Sequence, residues 1–119
     1  LKKASSHIHS DAVYLVRIPN GMQKIRLSEL IYIESNKHYL HFHTKDGEYR
    51  ERNTMKGIQD FFDGKGFAMV NSYIMVNLSY VDKVQGSLIE IVGQQMLIAR
   101  GMKTEFLNKM AAFLSGKGM

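Results

Sequence analysis

Cysteine is absent from the 119 residues, which excludes a disulfide framework, a thiol nucleophile, thiolate zinc ligation and an iron–sulfur cluster together. That absence fits a reducing, cytoplasmic setting. No apolar run approaches the roughly 18 residues that a bilayer-crossing helix needs. The opening segment LKKASSHIHS lacks the apolar stretch of a secretory signal, so neither a membrane nor export is expected. Catalytic signatures are missing too. There is no Gly-x-Ser-x-Gly elbow, no His-Glu-x-x-His, no phosphate-cradling Gly-x-x-x-x-Gly-Lys and no pair of carboxylates framed by apolar residues. No enzymatic activity and no cofactor are expected.

What is present describes one folded unit. At 45% hydrophobic and 23% charged residues the chain has globular composition, and its length suffices for one modest core. It begins at Leu1 with a polar decapeptide, and is read as a segment of a longer protein: a linker or N-terminal extension over 1–11, then a domain over 12–119. Sixteen Lys and Arg against eleven Asp and Glu leave a net charge of +5. Such an excess favours an anionic partner, nucleic acid first.

Strand patterns dominate. Val13, Leu15 and Arg17 alternate with Tyr14, Val16 and Ile18, and Pro19-Asn20-Gly21 follows as a turn into a second strand over 23–27. Ser28 is placed to cap a single helical turn before the strand Ile31-Tyr32-Ile33, which polar residues 34–37 interrupt. From His38 to Thr44 the alternation sends Leu40 and Phe42 inward and Tyr39, His41 and His43 outward. Asp46-Gly47 supplies a tight hairpin turn through positive φ angles, and the returning strand over 48–53 puts Arg50 and Arg52 on one face. Thr54 caps a helix over 55–62 with the apolar stripe Met55, Ile58, Phe61 and Phe62. Residues 67–81 read as strand, polar break, strand, and the glycines at 86 and 93 divide 81–99 into three strands. An amphipathic helix over 103–114 closes the chain, with Thr104 as its candidate cap and Gly116 as its stop. The sum is about eight to ten short strands and two helices, a mainly β, antiparallel fold.

His38, His41 and His43 lie within six residues, and two imidazoles on one strand face are able to share a metal ion. With no cysteine and no positioned carboxylate, an exposed, mildly basic strand face is the better account, and no metal is expected. Met55, Met69, Met75, Met96 and Met110 fall on apolar phases and serve as core filler, whereas Met22 and Met102 fall beside turns. The basic residues recur at element ends and breaks: Lys37 with His38, Arg50 with Arg52, Lys56, and Arg100 with Lys103. Gathered by a β scaffold and interrupted by Asn71 and Ser72, they form a surface suited to gripping phosphates and reading bases.

The ordered segments Leu30-Ile31-Tyr32-Ile33-Glu34-Ser35, His38-Tyr39-Leu40, Thr44-Lys45-Asp46-Gly47, Val70-Asn71-Ser72, Val76-Asn77-Leu78-Ser79-Tyr80-Val81 and Ala99-Arg100-Gly101-Met102-Lys103, followed by Glu105-Phe106-Leu107, resemble the LytTR DNA-binding domain. The likeness extends from Tyr14 to Leu114. It implies about ten strands in small antiparallel sheets with two short helices, one of them C-terminal, in which loops rather than a recognition helix enter successive major grooves of the DNA and bend it.

By that resemblance the base-reading positions fall on His38, on Asn71 or Ser72, and on Arg100, with Lys37 or Asn36 as alternatives to His38. Arg100 suits guanine, because its planar fork meets O6 and N7 together, and Asn71 suits adenine. Lys37, Arg50, Arg52 and Lys103 are the expected phosphate anchors. Glu34 and Asn77 are expected to hold strand ends through buried hydrogen bonds. The resemblance further implies a transcription regulator, the output domain of a bacterial two-component response regulator. Its receiver domain would precede this segment, and it would dimerise on repeated promoter half-sites in double-stranded DNA. Two other readings stand beside it: a small β-rich protein-interaction module, and a His-rich metal-binding domain centred on His41 and His43.

Overall fold

Period-two alternation folds residues 12–116, those the computed structural model describes, into ten strands, two α-helices and three 3-10 turns. The linker expected over residues 1–11 lies outside the described residues. Strands β1 (Val13–Ile18) and β2 (Gly21–Arg26) form a hairpin. Its turn uses Pro19 and then Asn20 at φ +64°, the pairing that fixes a type II reversal. Strands β3 (Leu30–Asn36), β4 (Tyr39–Thr44), β5 (Gly47–Arg52), β6 (Phe67–Asn71) and β7 (Ile74–Asn77) make an antiparallel sheet in the order β5-β4-β3-β7-β6. Strands β8 (Val81–Gln85), β9 (Leu88–Ile91) and β10 (Gln94–Leu97) form a three-stranded meander.

The two faces of the five-stranded sheet carry separate cores, because alternate residues of each strand point to opposite sides. On one face Ile33, Leu40, Phe42 and Met75 pack with Val16 and Ile25 of the hairpin and with Met55, Ile58 and Phe62 of α1 (Met55–Phe62). On the other, Tyr32, Ala68, Val70 and Val76 meet Ile89, Ile91 and Met96 of the meander, Ile98, and Phe106 of α2 (Lys103–Leu114). Each such side chain contributes roughly 1.5–3 kcal/mol on burial. Truncating the fully buried Phe42 to alanine would cost about 3–5 kcal/mol. Helix α1 starts where the sequence predicts, with the Thr54 hydroxyl accepting from Gly57 N at 3.1 Å.

Several local expectations need correction. Strand β3 does not stop at Ile33 but continues through Glu34 to Asn36, because pairing with β4 on one side and β7 on the other overrides the polar composition. Ser28 lies inside the 3-10 turn Leu27–Glu29, which starts from Arg26 with no side-chain cap. Thr104 likewise lies within α2, whose N-terminus is led in by the 3-10 turn Arg100–Met102. In the β4–β5 hairpin Thr44 pairs with Gly47, so Lys45 and Asp46 form the turn; only Gly47 takes positive φ, at +146°.

Asn77 meets its expectation. Only 5% exposed, it donates from Nδ2 to the Leu27 and Leu30 carbonyls at 3.1 and 2.9 Å. Its Oδ1 accepts from Ser79 N and Oγ. It thereby joins two 3-10 turns across the sheet. Glu34 does not: its carboxylate is half-exposed and lies 3.6 Å from His43 Nε2. The buried acid is Glu51, 3% exposed, which accepts from Tyr14 OH, Arg17 N and Asn53 Nδ2 at 2.8, 2.9 and 2.8 Å. Three donors compensate its desolvation, and they fasten the β1–β2 hairpin to β5.

Candidate functional site

The antiparallel order β5-β4-β3-β7-β6 brings the end of β5, the β3–β4 turn, the β6–β7 turn and the end of β6 to one rim of the sheet. Backbone hydrogen bonds outside the strand ladders join these segments in a row. Asn53 N donates to the His38 carbonyl at 3.2 Å, Ser35 N to the Tyr73 carbonyl at 2.8 Å, and Ala99 N to the Val70 carbonyl at 2.7 Å. The last of these carries the exit of β10, and with it Arg100, to the end of β6. Five strands at about 4.8 Å spacing make this row roughly 19 Å long, with Arg100 beyond β6.

Lys37 and His38 form the two-residue β3–β4 turn, since Asn36 pairs with Tyr39. Lys37 adopts φ +59°, and both side chains are exposed. Arg52, exposed at the end of β5, pairs with Tyr39 beside that turn. Ser72 and Tyr73 form the β6–β7 turn between Asn71 and Ile74. Arg100 is exposed at the head of its 3-10 turn, and Lys103 opens α2, partly covered. Arg50 sits two residues further from the rim than Arg52, with its guanidinium carbon 4.6 Å from the centre of the Tyr39 ring.

Asn71 and Ser72, undecided in the sequence, differ in the structure. The Asn71 carboxamide is engaged at both ends: Nδ2 donates to the Leu97 carbonyl at 3.2 Å, and Oδ1 accepts from Tyr73 N at 2.8 Å. Ser72 is exposed at the tip. Tyr73, between that polar pair and the apolar run Ile74-Met75-Val76, is 64% exposed on the same tip.

Along residues 36–39, 52–54, 71–73 and 97–103, which build the rim, stand four basic side chains, Lys37, Arg52, Arg100 and Lys103, and no acidic one; the half-exposed Glu34 and the exposed Glu105 lie two residues outside these segments. Glu51, the nearest carboxylate in sequence, is turned inward to its three donors. Acids gather elsewhere. Asp60, Asp63 and Glu105 border a cleft of about 350 Å³ between α1 and α2, where Lys109 reaches Asp63 and Glu105 at 3.9 and 3.6 Å. That cleft has the wrong sign for a polyanion.

The histidines outside the rim do not form the basic face expected of them. His41 Nδ1 lies 2.8 Å from Glu48 Oε2, His43 lies between Glu34 and Glu48, and the His43 ring stacks on Tyr32 at 4.1 Å. Carboxylates match the imidazoles one for one. Among the described residues no three His, Cys, Asp or Glu side chains are disposed to hold a metal ion.

Residues 20–111 match a family model described as the LytTr DNA-binding domain. No curated protein matches the sequence. Among solved structures, the chain is similar to a LytTr DNA-binding domain from Bacillus cereus, part of a protein described as a methyl-accepting/DNA response regulator. The two share 11% identity with a TM-score of 0.72, over 83% of this chain and 96% of that one. At that identity the likeness shows the fold: antiparallel strands in small sheets with two helices, one C-terminal.

Proposed function

The chain belongs to the LytTr DNA-binding domain family, and from that premise we propose that it binds double-stranded DNA sequence-specifically through its basic rim. The observation that carries this reading is the segregation of charge: four segments, hydrogen-bonded into one row, bear four cations and no carboxylate of their own. A polyanion approaching the rim meets an excess of positive charge, and counterion release from the DNA drives the association. In this reading the loops of the rim, rather than α2, which gives Phe106 to the core, reach the base edges.

Within this reading Lys37, Arg52 and Lys103 grip phosphates, with Arg50 as a flanking contact, and His38, Ser72 and Arg100 face the bases. Arg100 is the guanine reader, through bidentate bonds to O6 and N7. Ser72 takes the second position, because the Asn71 carboxamide is already spent on Leu97 and Tyr73. The domain, over residues 12–119, acts as a transcription regulator at the output end of a cytoplasmic response regulator. A receiver domain before it controls dimerisation on promoter repeats, and the domain itself performs no catalysis.

Selection from a pool of random duplexes at about 150 mM salt, where weak non-specific contacts are suppressed, tests the reading. A defined motif should emerge, and Arg100→Ala should flatten its preference at one position. Recovery of no motif, with affinity governed by salt alone, would overturn it in favour of a protein-interaction module whose charge serves solubility.

A further inference from the structure

Two of the most exposed large apolar side chains of the described residues, Tyr73 at 64% and Leu97 at 60% exposure, belong to the basic rim. Both are fixed by the same group. The Asn71 carboxamide receives Tyr73 N–H and donates to the Leu97 carbonyl. One carboxamide and two hydrogen bonds, of 2.8 and 3.2 Å, thus span from Tyr73 N to the Leu97 carbonyl, a reach on the order of two base steps of DNA. Ile98 N donates to the Ser87 carbonyl and Ala99 N to the Val70 carbonyl, so the strand after Leu97 is held on both sides as well. Leu97 points away from the core that takes Met96 and Ile98, and its cross-strand partner Leu88 is exposed beside it.

Folding gains nothing from leaving these groups in water. A rigid apolar pair set among cations is what a groove of DNA bases can use, because the 5-methyl group of thymine is the one apolar feature on the major-groove edge. Resting on the DNA-binding reading above, we propose that Tyr73 and Leu97 form an apolar reader. It packs on thymine 5-methyl groups beside the bases faced by Ser72 and Arg100, and so confers a preference for thymine next to the guanine contact. Continuity with the basic rim selects this occupant over a protein partner, since the flanking phosphates would hold the methyl groups against the pair.

The test replaces each thymine of the selected duplex in turn with deoxyuridine, which removes only the methyl group. Wild-type protein should lose roughly fourfold in affinity at one or two positions, the effect of one buried methyl-sized group. Leu97→Ala and Tyr73→Ala should each bind the thymine and deoxyuridine duplexes equally at the position they read. Leu97→Met, which restores an apolar chain, should regain discrimination, and circular dichroism would verify that each variant is folded. If the wild type binds every deoxyuridine duplex as tightly as the thymine one, or if both alanine variants discriminate as it does, the apolar reader is overturned while sequence-specific binding stands. If selection yields no motif at all, the DNA-binding reading falls, and this inference with it.

Discussion

Asn71 and Leu97 stand 26 residues apart and are joined by one hydrogen bond, from Asn71 Nδ2 to the Leu97 carbonyl at 3.2 Å. Together with Ala99 N to the Val70 carbonyl, that bond couples the β6–β7 turn to the exit of β10. Two loops from different sheets are thus tied together. A base-reading surface gains from such coupling, because rigid donors lose less entropy when they meet DNA.

In the proposed reading Asn71 is a positioning residue. Asn71→Ala removes two hydrogen bonds and should lower stability by about 1–2 kcal/mol, measured as a shift in urea midpoint. DNA affinity should fall at several base positions together, since both Ser72 and Arg100 lose their support. Asn71→Asp keeps the acceptor for Tyr73 N but sets a carboxylate against the Leu97 carbonyl, and should bind DNA no better. A loss of preference confined to one base pair, with unchanged stability, would instead make Asn71 a reader.

The proposed phosphate anchors should separate by salt dependence. Each phosphate contact removed should flatten the slope of log affinity against log salt by about 0.9. Arg52→Ala and Lys103→Ala should each show that change while leaving the selected motif intact. Arg50→Ala should change the slope less, because its guanidinium is set back from the rim and lies over the Tyr39 ring. Titrating binding across a series of salt concentrations for the three variants decides between this order and an equal contribution from all three.

Local pattern makes most of the scaffold legible in the sequence. Alternation sends Leu40 and Phe42 inward, and both are fully buried; the stripe from Met55 to Phe62 with Thr54 before it marks α1. What stays hidden depends on partners distant in the chain. Glu51 lies between two arginines in Arg50-Glu51-Arg52, so composition makes it a surface residue. Its burial follows from Tyr14 and Arg17, more than thirty residues earlier. The choice between Asn71 and Ser72 turns on the Leu97 carbonyl, which no local rule supplies. Tyr73 falls between the polar pair Asn71-Ser72 and the apolar run Ile74-Met75-Val76, where no local pattern assigns it a face. For Leu97 a signal does exist: the phase that sends Met96 and Ile98 inward sends Leu97 outward.

Asn77 is placed for stability, and the proposed reading gives it no part in recognition. It is 5% exposed and its Nδ2 satisfies two buried carbonyls, those of Leu27 and Leu30. Asn77→Ala strands both carbonyls and frees Ser79, and should cost roughly 2–4 kcal/mol. At temperatures where the variant remains folded its selected motif should be that of the wild type. An altered motif in folded protein would place Asn77 among the recognition residues.

The Tyr14–Glu51 contact gives the domain an alkaline limit. Burial, and then the hydrogen bond and charge of Glu51, push the Tyr14 phenol well above its ordinary range. Ionisation would set a phenolate against a buried carboxylate. The folded state thus keeps a proton that the unfolded chain releases near pH 10. The stabilisation is complete below that pH and declines as pH rises from about 10 toward the folded value, because the unfolded state then binds fewer protons than the folded one. Tyr80, raised by its own burial and by Glu29, adds a decline of the same sign. Urea midpoints at about pH 8 and about pH 11 should therefore differ more for the wild type than for Tyr14→Phe, which has no phenol at that position to titrate. The variant should be the less stable of the two at neutral pH by about 1 kcal/mol, through the lost hydrogen bond, and the gap should close or reverse in alkali. An equal alkaline loss in both proteins would remove Tyr14 as its cause.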